Sequence, residues 1–259
     1  MVVFFRGWNL SIEKIILSNI FYKFLFRKIF LKVKKIIILS SEFDSFFKKL
    51  NYKGCIYLET TVVDDSFVVE KLSDDSNRHK NILFLSRIER DKGVFKVVDS
   101  FIRIKHSYPD CKLYIAGEGP DKEELLKYLK ELNDQDIVFM GYVRGEEKKD
   151  ILRKCGIYAF PTLYGEGMPN ALLEAMAFSM VAITSPSGGI KDIFIDQEMG
   201  ALIDGSSSEE LDEALCLYIS SPQLSKNIGE NNRGFISRKC TASIIVKRLM
   251  DIYMDGSTS

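Results

Sequence analysis

From residue 81 onward, short uninterrupted apolar runs alternate with longer segments whose apolar positions recur every three to four residues. The runs Asn81-Ile82-Leu83-Phe84-Leu85, Lys112-Leu113-Tyr114-Ile115-Ala116, Ile137 to Val143, Gly156-Ile157-Tyr158-Ala159-Phe160 and Val181-Ala182-Ile183-Thr184 have the length and apolar content of buried strands. Between and after them, the spacing predicts helices near 93–106, 121–132, 145–154, 169–178 and 208–220. This alternation predicts an α/β fold, a Rossmann-like parallel sheet wrapped by helices, with ligands at the carboxyl ends of the strands. Ala242 to Met254, with Ile244, Ile245, Leu249 and Tyr253 at helical spacing, reads as an amphipathic closing helix. Upstream, Val2 to Phe5, Ile36 to Leu39 and Cys55 to Leu58 read as further strands, and the polar run from Leu72 to Arg78 reads as a linker.

The stretch that carries the chemistry follows the fourth of those buried runs. Tyr164-Gly165-Glu166-Gly167-Met168-Pro169-Asn170-Ala171-Leu172-Leu173-Glu174 places one carboxylate in a Gly/Pro loop and a second inside the next helix. Pro169 suits the first helical position because the N–H it lacks is not needed there. The first-turn N–H groups near Asn170 and Ala171 then point out of the helix and favour an anion such as phosphate. Glu174 lies about one turn further in, where a carboxylate can accept hydrogen bonds from a ribose diol. Spacing alone is equally compatible with two ordinary acids stabilised by the helix dipole above a plain core of Leu172, Leu173 and Met176.

This stretch resembles the Glu-x7-Glu element of the retaining glycosyltransferases of the GT-B superfamily, often called glycosyltransferase group 1 or family four. The likeness runs from about Asn81 to the C-terminus. It implies that Glu166 binds the sugar and Glu174 the ribose of a nucleotide-diphosphate sugar, with Gly167, Met168, Pro169, Asn170 and Ala171 forming the rest of the donor-binding element. Three further stretches resemble the family pattern in the same order. In Asn81 to Gly93, the resemblance puts Arg87 and Lys92 on the diphosphate, where two fixed cations neutralise charge on a departing group. In Lys112 to Pro120, Gly117-Glu118-Gly119 lacks the third glycine of a dinucleotide fingerprint and reads mainly as turn geometry. The following run implies base contacts from Tyr142 and Val143. The third stretch, Val181 to Ile190, ends in Gly188-Gly189, which borders the donor sugar in the family. There the chain departs from the family's usual Pro-Glu with Lys191-Asp192.

Composition narrows the alternatives. Lys plus Arg and Asp plus Glu number 36 each, so no net basic field argues for nucleic acid. Five cysteines without a Cys-x-x-Cys pair suit reduced thiols in a cytoplasmic protein. Only His79 and His106 are available, which argues against a zinc site or a Ser-His-Asp triad. Asp134-Gln135-Asp136 spells the metal-binding Asp-x-Asp of a different transferase fold, but it precedes a strand and reads as a solvated turn; no metal and no cofactor are expected beyond the nucleotide-sugar co-substrate.

GT-B enzymes pair two Rossmann-like domains, and the acceptor-binding first one normally fills about half the chain. Here the reading is an incomplete N-terminal domain over 1–70, a linker over 71–80, a donor-binding domain over 81–236 and, over 237–259, a helix that packs back on the N-terminal part. Ile36-Ile37-Ile38-Leu39-Ser40-Ser41-Glu42 resembles the end of a family acceptor domain, and Phe5-Arg6-Gly7 puts Arg6 where an active-site His is common. Residues 20–35 interleave aromatics with six cations, too broken by charge to span a bilayer. Two readings stay open for them: a helix snorkelling its cations over its own sheet, or a contact with an anionic membrane surface.

The resemblance thus implies a metal-independent, retaining hexosyltransferase of the cell-surface polysaccharide or lipopolysaccharide type, acting on a saccharide or lipid-linked acceptor. The alternative is a truncated or split chain that binds donor without turnover, or that joins a partner chain supplying the acceptor half. A GT-B epimerase or phosphorylase fits less well, lacking placeable acid/base residues or a pyridoxal-bearing lysine in a much longer chain.

Overall fold

The structure, a computed structural model, describes residues 1–5, 10–69, 72, 77–163, 165 and 167–254. Arg6, Tyr164 and Glu166 lie outside the described residues. Two parallel sheets organise the rest. The N-terminal sheet has the order β1 (Val2–Phe5), β2 (Lys35–Ile38), β3 (Cys55–Leu58). Helices α1 (Leu10–Ser18) and α2 (Ile20–Phe30) connect β1 to β2, and α3 (Glu42–Lys49) connects β2 to β3. Its core gathers Ile16, Val33, Ile36, Ile38, Phe46, Phe47 and Leu50.

The larger sheet contains β4 (Asn81–Leu85), β5 (Lys112–Ala116), β6 (Ile137–Gly141), β7 (Ile157–Phe160), β8 (Val181–Thr184) and β9 (Gly200–Leu202). Every pairing is parallel, in the order β6-β5-β4-β7-β8-β9. Counted from β4, this is the doubly wound order 3-2-1-4-5-6, whose strand order reverses between β4 and β7. The crevice at the carboxyl ends of those two strands is where such a sheet binds ligands. All residues of β4, β7 and β8 are buried, as expected for strands covered on both faces. Helices α5 (Val94–Lys105), α6 (Lys122–Leu132), α7 (Gly145–Lys154), α8 (Asn170–Ala177) and α10 (Ser208–Ser220) fall where the spacing predicts them, and the short α9 (Ile190–Ile193) follows the glycine pair.

Helices α1, α3 and α9 carry no prediction from the sequence, and neither do two elements of the larger half: edge strand β9 spans only three residues, and α11 (Pro222–Lys239) is too polar and glycine-bearing to show a helical stripe. Tertiary contacts hold α11: the buried Asn232 amide donates to the Met180 and Met199 carbonyls at 2.8 Å each, and Ser225 Oγ donates to Tyr218 O at 2.7 Å. The core of the larger sheet also reaches back past residue 81. Val63 and Phe67, the latter on α4 (Asp65–Val69), join the larger core, and Val63 bridges Thr241 just before α12 (Ala242–Met254). From α12, Arg248 grips the buried Glu59 carboxylate with two nitrogens at 2.9 and 2.7 Å, tying the helix to the residue that follows β3. Among the described residues, no helix is long and apolar enough to cross a membrane.

Candidate functional site

The loops that leave β4 and β7 are interlocked. After β4 the chain forms a single 3-10 turn, Arg90–Lys92, capped by Gly93 at φ 88°, a conformation that disfavours a side chain. A Cβ there would also lie 2.6 Å from Pro161 O, so the turn presses directly on the start of the post-β7 loop. Leu163 N donates to Asp91 O at 2.8 Å and Thr162 Oγ1 to the same carbonyl at 3.3 Å. Lys92 is consequently buried, 4% exposed, with Nζ 6.0 Å from the centre of the Phe160 ring at the end of β7. Arg87 is by contrast 61% exposed and pairs with Glu89 at 2.9 Å. That pair is well solvated, so the guanidinium can exchange a carboxylate for another anion at small cost.

Beyond the loop, Pro169 serves as the N-cap of α8, with extended ψ of 121°, rather than as its first helical residue. The helix ladder begins with Leu173 N donating to Pro169 O at 3.4 Å, so the N–H groups of Asn170, Ala171 and Leu172 form the free first turn. Asn170 is exposed, Ala171 half-buried, and Met168 packs into the core. Glu174 sits on the second turn with 16% of its side chain exposed and accepts from Lys148 Nζ of α7 at 2.7 Å.

A third loop and the N-terminal half close on the same place. Gly189 N donates to Gly167 O at 2.7 Å, and a Cβ on Gly189 would collide with the carbonyl oxygens of both Gly167 and Leu39, the residue after β2. Thr61 Oγ1 donates to Met168 O at 3.3 Å. Lys191 and Asp192, which replace the family's Pro-Glu, turn toward the N-terminal half. Asp192 accepts from Ser41 N at 2.7 Å and from the Ser41 hydroxyl, while Lys191 pairs with Glu42 at 2.5 Å.

Toward the other side of β4, Gly117 and Gly119 serve close backbone approach, since a Cβ on either would meet the carbonyl of Ser86 or Ile88. Gly117 N also donates to Gly141 O at 2.7 Å, so the end of β6 joins the same rim. Tyr142 stands 67% exposed there, whereas the Val143 side chain is packed in the core. Asp136 is committed to Lys105 at 2.6 Å, and the Asp134 side chain accepts from Asp136 N at 2.8 Å, which is turn geometry at the amino end of β6, away from the rim formed by the carboxyl ends. Arg87 and Lys92 thus stand on the segment that leaves β4 and Gly167 to Ala171 on the one that leaves β7; the two segments meet through Asp91, Pro161 and Leu163, and Gly189 packs on Gly167. Sequence reasoning did not find Lys148, Thr61, Asp91 or Ser41, because each acts through a contact between residues distant in the chain.

The model of the family described as "Glycosyl transferases group 1" matches residues 70–235. Over 176 residues the chain is 28% identical to N-acetylgalactosamine-N,N'-diacetylbacillosaminyl-diphospho-undecaprenol 4-alpha-N-acetylgalactosaminyltransferase of Campylobacter jejuni, an alignment covering 67% of this chain and 47% of that protein. It is 25% identical to the capsular polysaccharide biosynthesis glycosyltransferase CapM of Staphylococcus aureus, covering 76% of this chain and 52% of CapM. The chain thus spans about half the length of the curated relatives it matches. Among solved structures, HepE of Anabaena in complex with UDP and glucose superposes with a TM-score of 0.80 at 16% identity, covering 97% of this chain and 70% of HepE. The fold is of GT-B type, and the chain belongs to the group 1 glycosyl transferases.

Proposed function

We propose that the larger domain binds a nucleotide-diphosphate hexose across the β4/β7 crevice, and that the protein transfers the hexose with retention of configuration to a saccharide or lipid-linked acceptor. The observation that supports this reading is that the buried Lys92, the exposed Arg87 and the first turn of α8 all stand on segments that leave β4 and β7, the two strands between which the strand order reverses. A diphosphate seated there meets two cations and a ring of N–H groups. When the bond from the sugar's C1 to the diphosphate breaks, the departing oxygen takes the electron pair, and these fixed charges stabilise it without a metal. Glu174 accepts from the ribose and Glu166 from the sugar hydroxyls. The acceptor class is supported by the names of the relatives, a diphospho-undecaprenol transferase and a capsular polysaccharide transferase.

The two glutamates separate the parts of the donor. Glu174→Ala is expected to weaken free nucleoside diphosphate and nucleotide sugar alike by about tenfold or more, the worth of a charged hydrogen bond. Glu166→Ala weakens the sugar-bearing donor alone. Calorimetric titration of both ligands into both variants checks this, and equal losses for free nucleoside diphosphate in the two variants would overturn the assignment.

For the acceptor side, the basic aromatic segment 20–35 resolves into α2, a short turn and the first residue of β2, and the Phe26 ring of α2 faces inward, 5.8 Å from that of Phe46. The opposite side exposes Ile20, Phe21, Phe24 and Leu25 together with Arg27 and Lys28. From Lys14 to Ser41 the chain holds seven cations and no acid, although the whole protein is neutral. Exposed rings flanked by cations match an anionic bilayer surface, where each nearby Lys or Arg contributes about 1 kcal/mol. The expected result is co-sedimentation with phosphatidylglycerol vesicles, lost in Phe21→Ser/Phe24→Ser and weakened by salt. Equal binding to neutral phosphatidylcholine vesicles, or none to either, would contradict it.

A further inference from the structure

The Glu174 carboxylate does not stand alone. Its Oε1 accepts from Lys148 Nζ at 2.7 Å, in a pair whose side chains are only 25% and 16% exposed. Lys148 belongs to α7, the helix that follows Tyr142 and Val143 at the end of β6. Its ammonium also lies 5.7 Å from the centre of the Phe67 ring on α4, and Phe67 packs edge-on against Phe178, the residue that caps α8, at 5.3 Å. Groups on three elements thus hold Lys148 in place: α7 carries it, α4 covers it and α8 supplies its carboxylate partner.

Two physical consequences follow. A half-enclosed carboxylate held by one oxygen has a fixed rotamer, and its second oxygen is presented in a constant direction to any hydroxyl donor. A bound nucleotide also strips water from Glu174, and a neighbouring cation offsets the cost of burying that charge. We propose that Lys148 is a positioning residue that fixes Glu174 so that its free oxygen reads the ribose hydroxyls of the nucleotide. This rests on the donor-site reading above. A plain brace between α7 and α8 would share the geometry, but it would affect stability without affecting the choice of ligand.

The experiment measures affinity for UDP, GDP and ADP, for their 2′-deoxy counterparts and for inorganic pyrophosphate. It uses the full chain, Lys148→Met, Lys148→Arg and Glu174→Ala, with thermal midpoints recorded for each. The native protein is expected to prefer the ribonucleotide by about tenfold, the size of one charge-assisted hydrogen bond. In Lys148→Met that preference falls to about twofold or less while pyrophosphate affinity is retained. Lys148→Arg, which keeps the cation, restores most of it. A Lys148→Met protein with a lowered midpoint and an intact ribose preference would overturn the proposal and leave a structural brace. Absence of any ribose preference in the native protein, or its survival in Glu174→Ala, would instead remove the role given to Glu174 itself.

Discussion

Lys92→Met is expected to lower the rate at which nucleoside diphosphate is released from the donor during sugar transfer by about two to three orders of magnitude, the usual loss when one fixed stabiliser of a developing anion is removed. The size of the effect follows from burial. Lys92 is 4% exposed, enclosed by its own turn, by the post-β7 loop and by the Phe160 ring, so its charge acts through little intervening water. Methionine keeps the apolar stem that packs there and removes only the ammonium, which separates loss of charge from loss of fold. Arg87, solvated and already shared with Glu89, is expected to contribute less. A coupled assay of nucleoside diphosphate release, run beside circular dichroism of the variant, reads the result. An unchanged rate in a folded Lys92→Met protein would remove Lys92 from the site.

Gly189→Ala is expected to disable the donor site through a single methyl group. The Gly189 backbone runs between the carbonyls of Gly167 and Leu39, and its own N–H donates to Gly167 O at 2.7 Å. Gly189 has φ −72°, so backbone strain is not the cause; the added carbon must push one of two backbone segments away. One is the Gly167 to Pro169 loop that sets the start of α8, and the other is the end of β2 in the N-terminal half. Overpacking of this kind costs about 1–3 kcal/mol, roughly several degrees in thermal midpoint for a chain of this size. Donor affinity should fall with it, because the displaced loop carries the helix start proposed to seat the diphosphate. Gly165→Ala in the same loop is the control: apart from its chain neighbours, a Cβ there meets none of the described residues within 4 Å, so it should change the thermal midpoint little. Equal behaviour of the two variants would mean that the contact does not position the site.

The contrast between Gly189 and the elements around it shows what the sequence makes legible. Strand β4 and helix α5 can be read directly, because five consecutive buried residues and then buried Val94, Val97, Val98, Phe101 and Ile104 leave periodic signatures in composition. Lys92 and Arg87 could be named from their resemblance to a family pattern. The burial of one and exposure of the other could not, since both depend on how the post-β7 loop folds over Asp91. Helix α11 is not legible because its stability comes from Asn232 and Gly229 meeting distant backbone and from Ser225 bonding the end of α10, contacts that leave no hydrophobic stripe. The Lys148–Glu174 pair, 26 positions apart, and the Ser41–Asp192 contact, 151 apart, are likewise products of the tertiary fold. Lys191-Asp192 is legible as a departure from the family pattern beside the Gly188-Gly189 pair. In the structure both side chains bind Ser41 and Glu42 of the N-terminal half.

The central claim is that a nucleotide-diphosphate sugar binds across the β4/β7 crevice with its ribose on Glu174. It is tested most directly by titrating UDP-, GDP- and ADP-hexoses into the purified protein and into Glu174→Ala by calorimetry. The account predicts saturable one-site binding of one nucleotide class, weakened about tenfold or more in the variant. No binding of any class to a folded protein, or binding that Glu174→Ala leaves unchanged, would contradict it.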